Sequence, residues 1–121
     1  MTVILYIEDN PQNMRLVRKM LKTGGYEMIE AIDGKTGLQK VRDERPNLIL
    51  VDINLPDIDG MEVTARIKAD TELQRIPVIA LTANAMFGDR ERFLEGGCDG
   101  YLAKPISRRE LLSTVDQFIG E

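Results

Sequence analysis

The sequence contains no histidine and no tryptophan, and only one of its 121 residues is a cysteine. Without histidine, the chain lacks the base of Ser-His-Asp and Cys-His catalysis and the commonest ligand of catalytic zinc. A single cysteine, Cys98, excludes an internal disulfide as well as a cysteine-based zinc or iron–sulfur site. Any chemistry of this chain must therefore be carried by carboxylates, lysine or hydroxyl groups.

Long hydrophobic runs and an excess of positive charge are also missing. Apolar runs such as residues 48–51 are much shorter than the ~20 residues of a membrane-spanning helix, so we expect no membrane association. No basic segment precedes an apolar core near the N-terminus, which predicts a cytoplasmic protein without a secretory signal. Asp and Glu number 20 against 16 Lys and Arg, giving a net charge of −4. This balance argues against direct nucleic-acid binding, which requires a basic face.

Short apolar runs alternate with segments of helical periodicity along the whole chain. The apolar runs cover residues 3–7, 26–31, 48–51, 77–81 and 101–103. Several of them are apolar at consecutive positions, which is typical of parallel strands covered on both faces. In the intervening segments apolar residues recur at helical spacing, with Met86, Phe93 and Leu94 marking the fourth. The alternation predicts one α/β domain over residues 1–121, a doubly wound, five-stranded parallel sheet of (βα)5 order.

Residues that favour helix ends agree with this order. Asn10 is a good N-cap, and Pro11 is suited to the first position of a helix. Ser107 and Glu110 have the spacing of a capping box, which predicts that the last helix starts there. Asp59 is expected to cap the third helix. The first helix should therefore begin almost directly after the first strand.

Polar side chains stand at the ends of four predicted strands. Glu8 and Asp9 follow the first strand, Asp52 the third, Thr82 the fourth and Lys104 the fifth. Since parallel strands end at the same edge of a sheet, we expect these residues to converge. Three carboxylates in close proximity repel one another and need a counter-charge, which Lys104 and a hard divalent cation could supply. An all-oxygen ligand set suits Mg²⁺, and the combination is typical of phosphoryl transfer to a carboxylate nucleophile, which would form an aspartyl phosphate.

These motifs, in this order and at these strand ends, resemble the receiver domain of bacterial two-component response regulators. The motifs are Glu8-Asp9, Asp52-Ile53-Asn54-Leu55-Pro56, Asp59-Gly60, Thr82-Ala83 and Lys104-Pro105. The resemblance extends over residues 3–119, and the type is that of the single-domain regulators of chemotaxis and cell division. Residues 9–13 and 97–101 also look like the receivers of hybrid kinases, so they do not decide between a stand-alone protein and a domain of a longer chain. The resemblance implies a flavodoxin-like receiver fold and a signalling switch rather than a metabolic enzyme.

The resemblance also implies a phosphoacceptor and a metal site. Asp52 would accept the phosphoryl group, from a histidine kinase or a histidine phosphotransfer protein. The Mg²⁺ ligands would be Glu8, Asp9, Asp52 and the backbone carbonyl of Asn54. The acyl phosphate would then be hydrolysed slowly, with intrinsic phosphotransfer as the chain's only chemistry.

A conformational switch is implied by the same resemblance. Thr82 and Lys104 would contact the phosphoryl group, and Thr82 with Tyr101 would form the switch that alters the surface of helix 4, strand 5 and helix 5. Asn84, like Asn54, would influence how water reaches the phosphoryl group. A cis peptide bond before Pro105 is also implied. The partner of this surface would be a downstream protein whose identity the sequence leaves open.

Two other functions stay open at this point. A constitutive docking module would use the same fold without ever accepting phosphate. A haloacid-dehalogenase-type phosphatase is suggested by residues 57–61, Asp-Ile-Asp-Gly-Met, which resemble its D-x-D-G motif. That motif must directly follow a strand, whereas here Pro56 precedes it. Tyr101 could likewise be an ordinary core aromatic, since aromatic residues of strands usually pack.

Overall fold

Five strands alternate with five helices in the part of the chain that the computed structural model describes, residues 2–83 and 89–119. The strands are β1 Val3–Ile7, β2 Glu27–Ala31, β3 Leu48–Asp52, β4 Val78–Thr82 and β5 Gly100–Ala103. The helices are α1 Pro11–Thr23, α2 Gly34–Glu44, α3 Gly60–Lys68, α4 Asp89–Glu95 and α5 Arg108–Ile119. The (βα)5 order is confirmed, while Asn84 and Met86 lie outside the described residues. No helix of residues 2–83 and 89–119 is long and apolar enough to cross a membrane.

The five strands form one parallel sheet in the order β2-β1-β3-β4-β5. β1 pairs with β2 on one side and with β3 on the other, so the direction of winding reverses between β1 and β3. In open α/β sheets, a crevice opens at the carboxyl ends of the two strands that flank such a reversal. The topology therefore predicts a binding crevice at the carboxyl ends of β1 and β3.

Helices cover both faces of the sheet. On one face, Ile4 and Tyr6 of β1 belong to an apolar cluster that includes buried residues of α1 and α5. Leu5 and Ile7 belong to the cluster of the opposite face, which includes buried residues of α2 and α3. This division follows from the two-residue period of a strand, which points successive side chains to opposite faces. Every residue of β3 is buried, which explains its uninterrupted apolar run.

The helix starts follow the expected capping signals. The Asn10 side chain accepts hydrogen bonds from the first turn of α1, with Pro11 at the first helical position. At α5, the Ser107 hydroxyl oxygen lies 3.1 Å from the backbone nitrogen of Glu110, which donates to it. Asp59 caps α3 by accepting from a backbone N–H 2.9 Å away. Because only three residues separate the end of β1 from the start of α1, these residues are held at the carboxyl end of the sheet.

Candidate functional site

The carboxyl ends of β1 and β3 bring three carboxylates together. Glu8 and Asp9 directly follow β1, and Asp52 is the last residue of β3. One carboxylate oxygen from each of the three lies within 4.8 Å of the others. Glu8 and Asp52 are buried, whereas Asp9 is exposed. The convergence expected from the strand ends is thus present, with one open side facing solvent.

Lys104 bridges the two buried carboxylates of this cluster. Its Nζ lies 2.9 Å from Oε1 of Glu8 and 3.1 Å from Oδ1 of Asp52, and it donates a hydrogen bond to each. The residue exposures are 1% for Glu8 and 4% for Asp52, so these ion pairs are largely shielded from water. The single positive charge of Lys104 thus pairs with two negative charges directly. Because a third carboxylate is present, the cluster as a whole has an excess of negative charge. Such a cluster can bind a cation or a cationic group.

Burial and the neighbouring charges shift the pKa values of Glu8, Asp52 and Lys104. Burial raises the pKa of Glu8, but hydrogen bonds from Tyr6 and Lys104 outweigh burial and hold this pKa below its usual value. At Asp52, burial and the charge of Glu8 dominate, so its pKa lies above the usual value despite the contact with Lys104. Burial acts to lower the pKa of Lys104, but its two carboxylate partners raise this pKa overall. The ionised form of Asp52 is therefore disfavoured at this position, and an additional positive charge nearby would stabilise it.

Tyr6 is a member of the site that the sequence patterns did not identify. Its ring is fully buried, and its hydroxyl donates a hydrogen bond to Oε1 of Glu8 across 2.7 Å. The other oxygen of Glu8 accepts from the backbone nitrogen of Asn10 at 3.2 Å. A signal was present in the sequence, because residues two apart on a strand share a face and a tyrosine hydroxyl needs a polar partner when buried.

The loop after β3 is fixed close to Asp52. The backbone N–H of Asn54 donates to the Asp52 carboxylate, and the nitrogen of Gly60 donates to the carbonyl of Ile53 at 2.9 Å. A Cβ at Gly60 would lie 2.5 Å from the Asp52 carbonyl oxygen, so glycine is required for this close approach. The start of α3 is therefore packed directly against the backbone that carries Asp52.

Backbone contacts link the end of β4 to the segment after β5. Thr82 is the last residue of β4 and is 3% exposed, and its carbonyl accepts from the nitrogen of Lys104 at 2.8 Å. The peptide bond between Lys104 and Pro105 is cis, as the resemblance implied. Tyr101 lies in β5, outside the acidic cluster, half-buried and with its ring centroid 6.1 Å from that of Phe93. Thr82 and Lys104 thus adjoin the strand that carries Tyr101.

The acidic residues of the D-x-D-G segment have structural partners. The two carboxylate oxygens of Asp57 accept from the backbone nitrogens of Gly34 and Lys35, at 2.8 and 2.9 Å, at the start of α2. Desolvation acts to raise the pKa of Asp57, but the backbone hydrogen bonds that its carboxylate accepts together outweigh desolvation and lower this pKa to about 2. Asp59 caps α3. The geometry therefore favours Asp52, rather than Asp57 or Asp59, as the carboxylate that ends a strand and faces the crevice.

Comparison with known proteins identifies the fold and the family. Residues 4–116 match the family model of the response regulator receiver domain. The chain belongs to this family. A relative of this chain, the polar-differentiation response regulator DivK of Brucella anthropi, is 46% identical to it over 118 residues. That match covers 98% of this chain and 96% of the relative.

Solved structures of receiver proteins share the same architecture. The receiver domain of a sensor histidine kinase from Pseudomonas aeruginosa superposes with a TM-score of 0.91 at 41% identity, covering 99% of this chain and 98% of that one. Its structure has a magnesium ion coordinated in the active-site cleft. The chemotaxis protein CheY4 of Vibrio cholerae gives a TM-score of 0.90 at 26% identity, covering 98% of both chains. The doubly wound fold is therefore the flavodoxin-like receiver fold.

Proposed function

We propose that residues 1–121 form a single receiver domain that acts as a phosphorylation switch in the cytoplasm. The phosphoryl group would come from a histidine kinase or a histidine phosphotransfer protein and would be carried by Asp52. The observation that supports this most strongly is the position of Asp52, which ends the central strand within a carboxylate cluster and contacts Lys104 at 3.1 Å. Membership of the response regulator family supports the same conclusion.

The donor set of the cluster fits a magnesium ion. Glu8, Asp9 and Asp52 supply carboxylate oxygens within 4.8 Å of one another, and we propose the backbone carbonyl of Asn54 as a further ligand. Hard oxygen ligands with one side open to solvent suit Mg²⁺, which keeps several water molecules. When bound, Mg²⁺ would supply positive charge to the oxygens of a transferring phosphoryl group.

These positions support transfer of the phosphoryl group to Asp52. A carboxylate oxygen of Asp52 attacks the phosphorus of the phosphohistidine, and a P–O bond forms while the P–N bond breaks. The electron pair of the broken bond leaves with the imidazole nitrogen of the donor. Lys104 and the hydroxyl of Thr82 contact the phosphoryl oxygens, and Lys104 offsets their charge. Slow hydrolysis of the acyl phosphate resets the protein, with Asn54 and Asn84 influencing the access of water.

The switch would connect Asp52 to the surface formed by α4, β5 and α5. A phosphoryl group adds negative charge beside Lys104, whose backbone nitrogen is bonded to the Thr82 carbonyl. Thr82 would turn toward the new oxygens, and Tyr101 would move into the space that this leaves. The surface of α4, β5 and α5 would then change its affinity for a downstream protein.

The test is to incubate the protein with Mg²⁺ and acetyl phosphate, and to follow labelling by intact mass and peptide mapping. One acid-stable, base-labile phosphoryl group should appear on Asp52, and Asp52→Asn should abolish it. Asp59→Asn is the matched control and should still be labelled, because Asp59 caps α3. A label that maps to Asp57 or Asp59 would refute the assignment. A native protein that is never labelled would instead favour a docking module.

A further inference from the structure

Tyr6 places a polar group deep in an otherwise apolar layer. It lies on the face of β1 that packs with α1 and α5, and its side chain is 0% exposed. Burying a phenol hydroxyl without a partner costs free energy, so the buried hydroxyl of Tyr6 requires a hydrogen-bond partner. That partner is Oε1 of Glu8, a member of the carboxylate cluster, at 2.7 Å. The hydroxyl therefore connects the core of the protein to the site.

The same oxygen of Glu8 has a second donor. Lys104 Nζ lies 2.9 Å from Oε1, so one carboxylate oxygen accepts from both a neutral hydroxyl and an ammonium group. Lys104 also contacts Asp52 at 3.1 Å and is shared between the two carboxylates. New anionic oxygens on Asp52 would compete for this shared ammonium group. Glu8 is only 1% exposed, so bulk water has little access to its carboxylate if Lys104 turns away.

We propose that Tyr6 is a positioning residue that keeps Oε1 of Glu8 hydrogen-bonded when Lys104 turns toward the phosphoryl group on Asp52, while Oε2 keeps its bond from the Asn10 backbone nitrogen. This inference rests on the proposed function, since it concerns the state in which Asp52 carries a phosphoryl group. The hydroxyl does not touch the reacting atoms. It lowers the free-energy cost of releasing Lys104 from Glu8, because Oε1 retains one donor throughout.

Removal of the hydroxyl should have different effects in the two states of the site. In the resting protein Lys104 still pairs with Glu8, so Tyr6→Phe should change Mg²⁺ affinity less than about twofold. Beryllofluoride mimics the phosphoryl group on Asp52, so its binding would compete with Glu8 for the ammonium group of Lys104. The variant should therefore bind beryllofluoride about tenfold more weakly at saturating Mg²⁺, the size expected for a hydrogen bond to a charged group.

The experiment measures both affinities by isothermal titration calorimetry on the full chain, with the fold checked by circular dichroism. Tyr26→Phe is the matched control, because Tyr26 also donates to a carboxylate, that of Asp116, but away from the site. It should bind Mg²⁺ and beryllofluoride like the native protein. Glu8→Gln removes the buried charge but also a proposed Mg²⁺ ligand, so this background is compared at a Mg²⁺ concentration that saturates it. There, adding Tyr6→Phe should weaken beryllofluoride binding no further.

Other outcomes would overturn the proposal. Native beryllofluoride affinity in Tyr6→Phe would show that the hydroxyl is dispensable. Equal losses of Mg²⁺ and beryllofluoride affinity would show that it only shapes Glu8 for the metal. If the native protein itself bound no beryllofluoride, the proposed function would fail, and this inference with it. Should Tyr6→Phe not fold, the native protein labelled with ¹³Cζ-tyrosine decides: loss of the Tyr6 hydroxyl hydrogen bond on beryllofluoride binding would contradict the proposal.

Discussion

Burial divides the three clustered carboxylates into two kinds. Glu8 and Asp52 are buried and share Lys104, whereas Asp9 is exposed to solvent. A buried carboxylate depends on its fixed donors, while an exposed one is already hydrated and can exchange water for a cation. The two buried side chains therefore define the geometry of the site, and Asp9 adds charge where a hydrated ion would enter.

This division predicts how Asp9→Asn behaves. The variant should bind Mg²⁺ at least about tenfold more weakly, because it removes one anionic ligand from the open side of the cluster. Its stability in Mg²⁺-free buffer should be equal to or above that of the native protein, because one of three repelling charges is gone. Titration calorimetry and thermal unfolding with and without Mg²⁺ measure the two effects. Unchanged Mg²⁺ affinity would contradict the role given to Asp9.

Helix starts in this protein depend on side chains from neighbouring segments as well as on local caps. At α2, Asp33 accepts from the backbone nitrogen of Thr36, the third helical position. The first two nitrogens of the same helix, those of Gly34 and Lys35, donate to Asp57 in the loop after β3. The acidic loop that carries the D-x-D-G pattern thus ties α2 to the end of β3. A negative charge there is also favoured by the helix dipole.

Asp57→Asn should therefore destabilise the fold in a pH-dependent way. Hydrogen bonds lower the pKa of Asp57 from 3.8 to about 2, so its ionised form stabilises the folded state. This contribution is complete well above pH 3.8 and is lost as the pH falls through 3.8 toward about 2. The difference in unfolding free energy between native protein and variant should thus be largest near neutral pH and shrink on acidification. Urea denaturation at a series of pH values measures it.

The control for this experiment is Asp43→Asn. Asp43 lies in the last turns of the same helix and accepts only from the exposed side chain of Gln39 among the contacts of the described residues. The Asp43→Asn variant also removes one negative charge, but from the C-terminal end of α2, where the helix dipole disfavours negative charge. No loss of stability is therefore expected. A pH-independent loss in Asp57→Asn would show that geometry, not charge, explains the role of this residue.

Most of the architecture of the protein could be predicted from the order of apolar runs and polar strand ends. Strand positions and the convergence of Glu8 and Asp52 followed because parallel strands end at one edge of the sheet. The contact of Asp57 with α2 could not be predicted, because it joins residues 23 positions apart through tertiary packing. Tyr6 was missed for another reason: an aromatic residue in a strand normally indicates core packing. Its ring does pack in the core, and only the hydroxyl serves the site.

Communication across the protein requires a chain of contacts from Asp52 to the surface around β5. The structure contains the elements of such a chain: Asp52 contacts Lys104, the nitrogen of Lys104 bonds the Thr82 carbonyl, and Tyr101 packs near Phe93. Spatial continuity alone does not establish coupling, because coupling requires two states that the phosphoryl group distinguishes. The central claim is that charge at Asp52 changes this surface.

The measurement that tests this claim most directly is the change in amide chemical shifts when beryllofluoride and Mg²⁺ bind. In the native protein, shifts should change beside Asp52, around Thr82, across α4 and at Tyr101. Thr82→Ala should retain the changes beside Asp52 but lose most of those at α4 and Tyr101, whereas Thr82→Ser, which keeps a hydroxyl, should respond like the native protein. Changes confined to the neighbourhood of Asp52 in the native protein would contradict the account, and the domain would then store phosphate without switching.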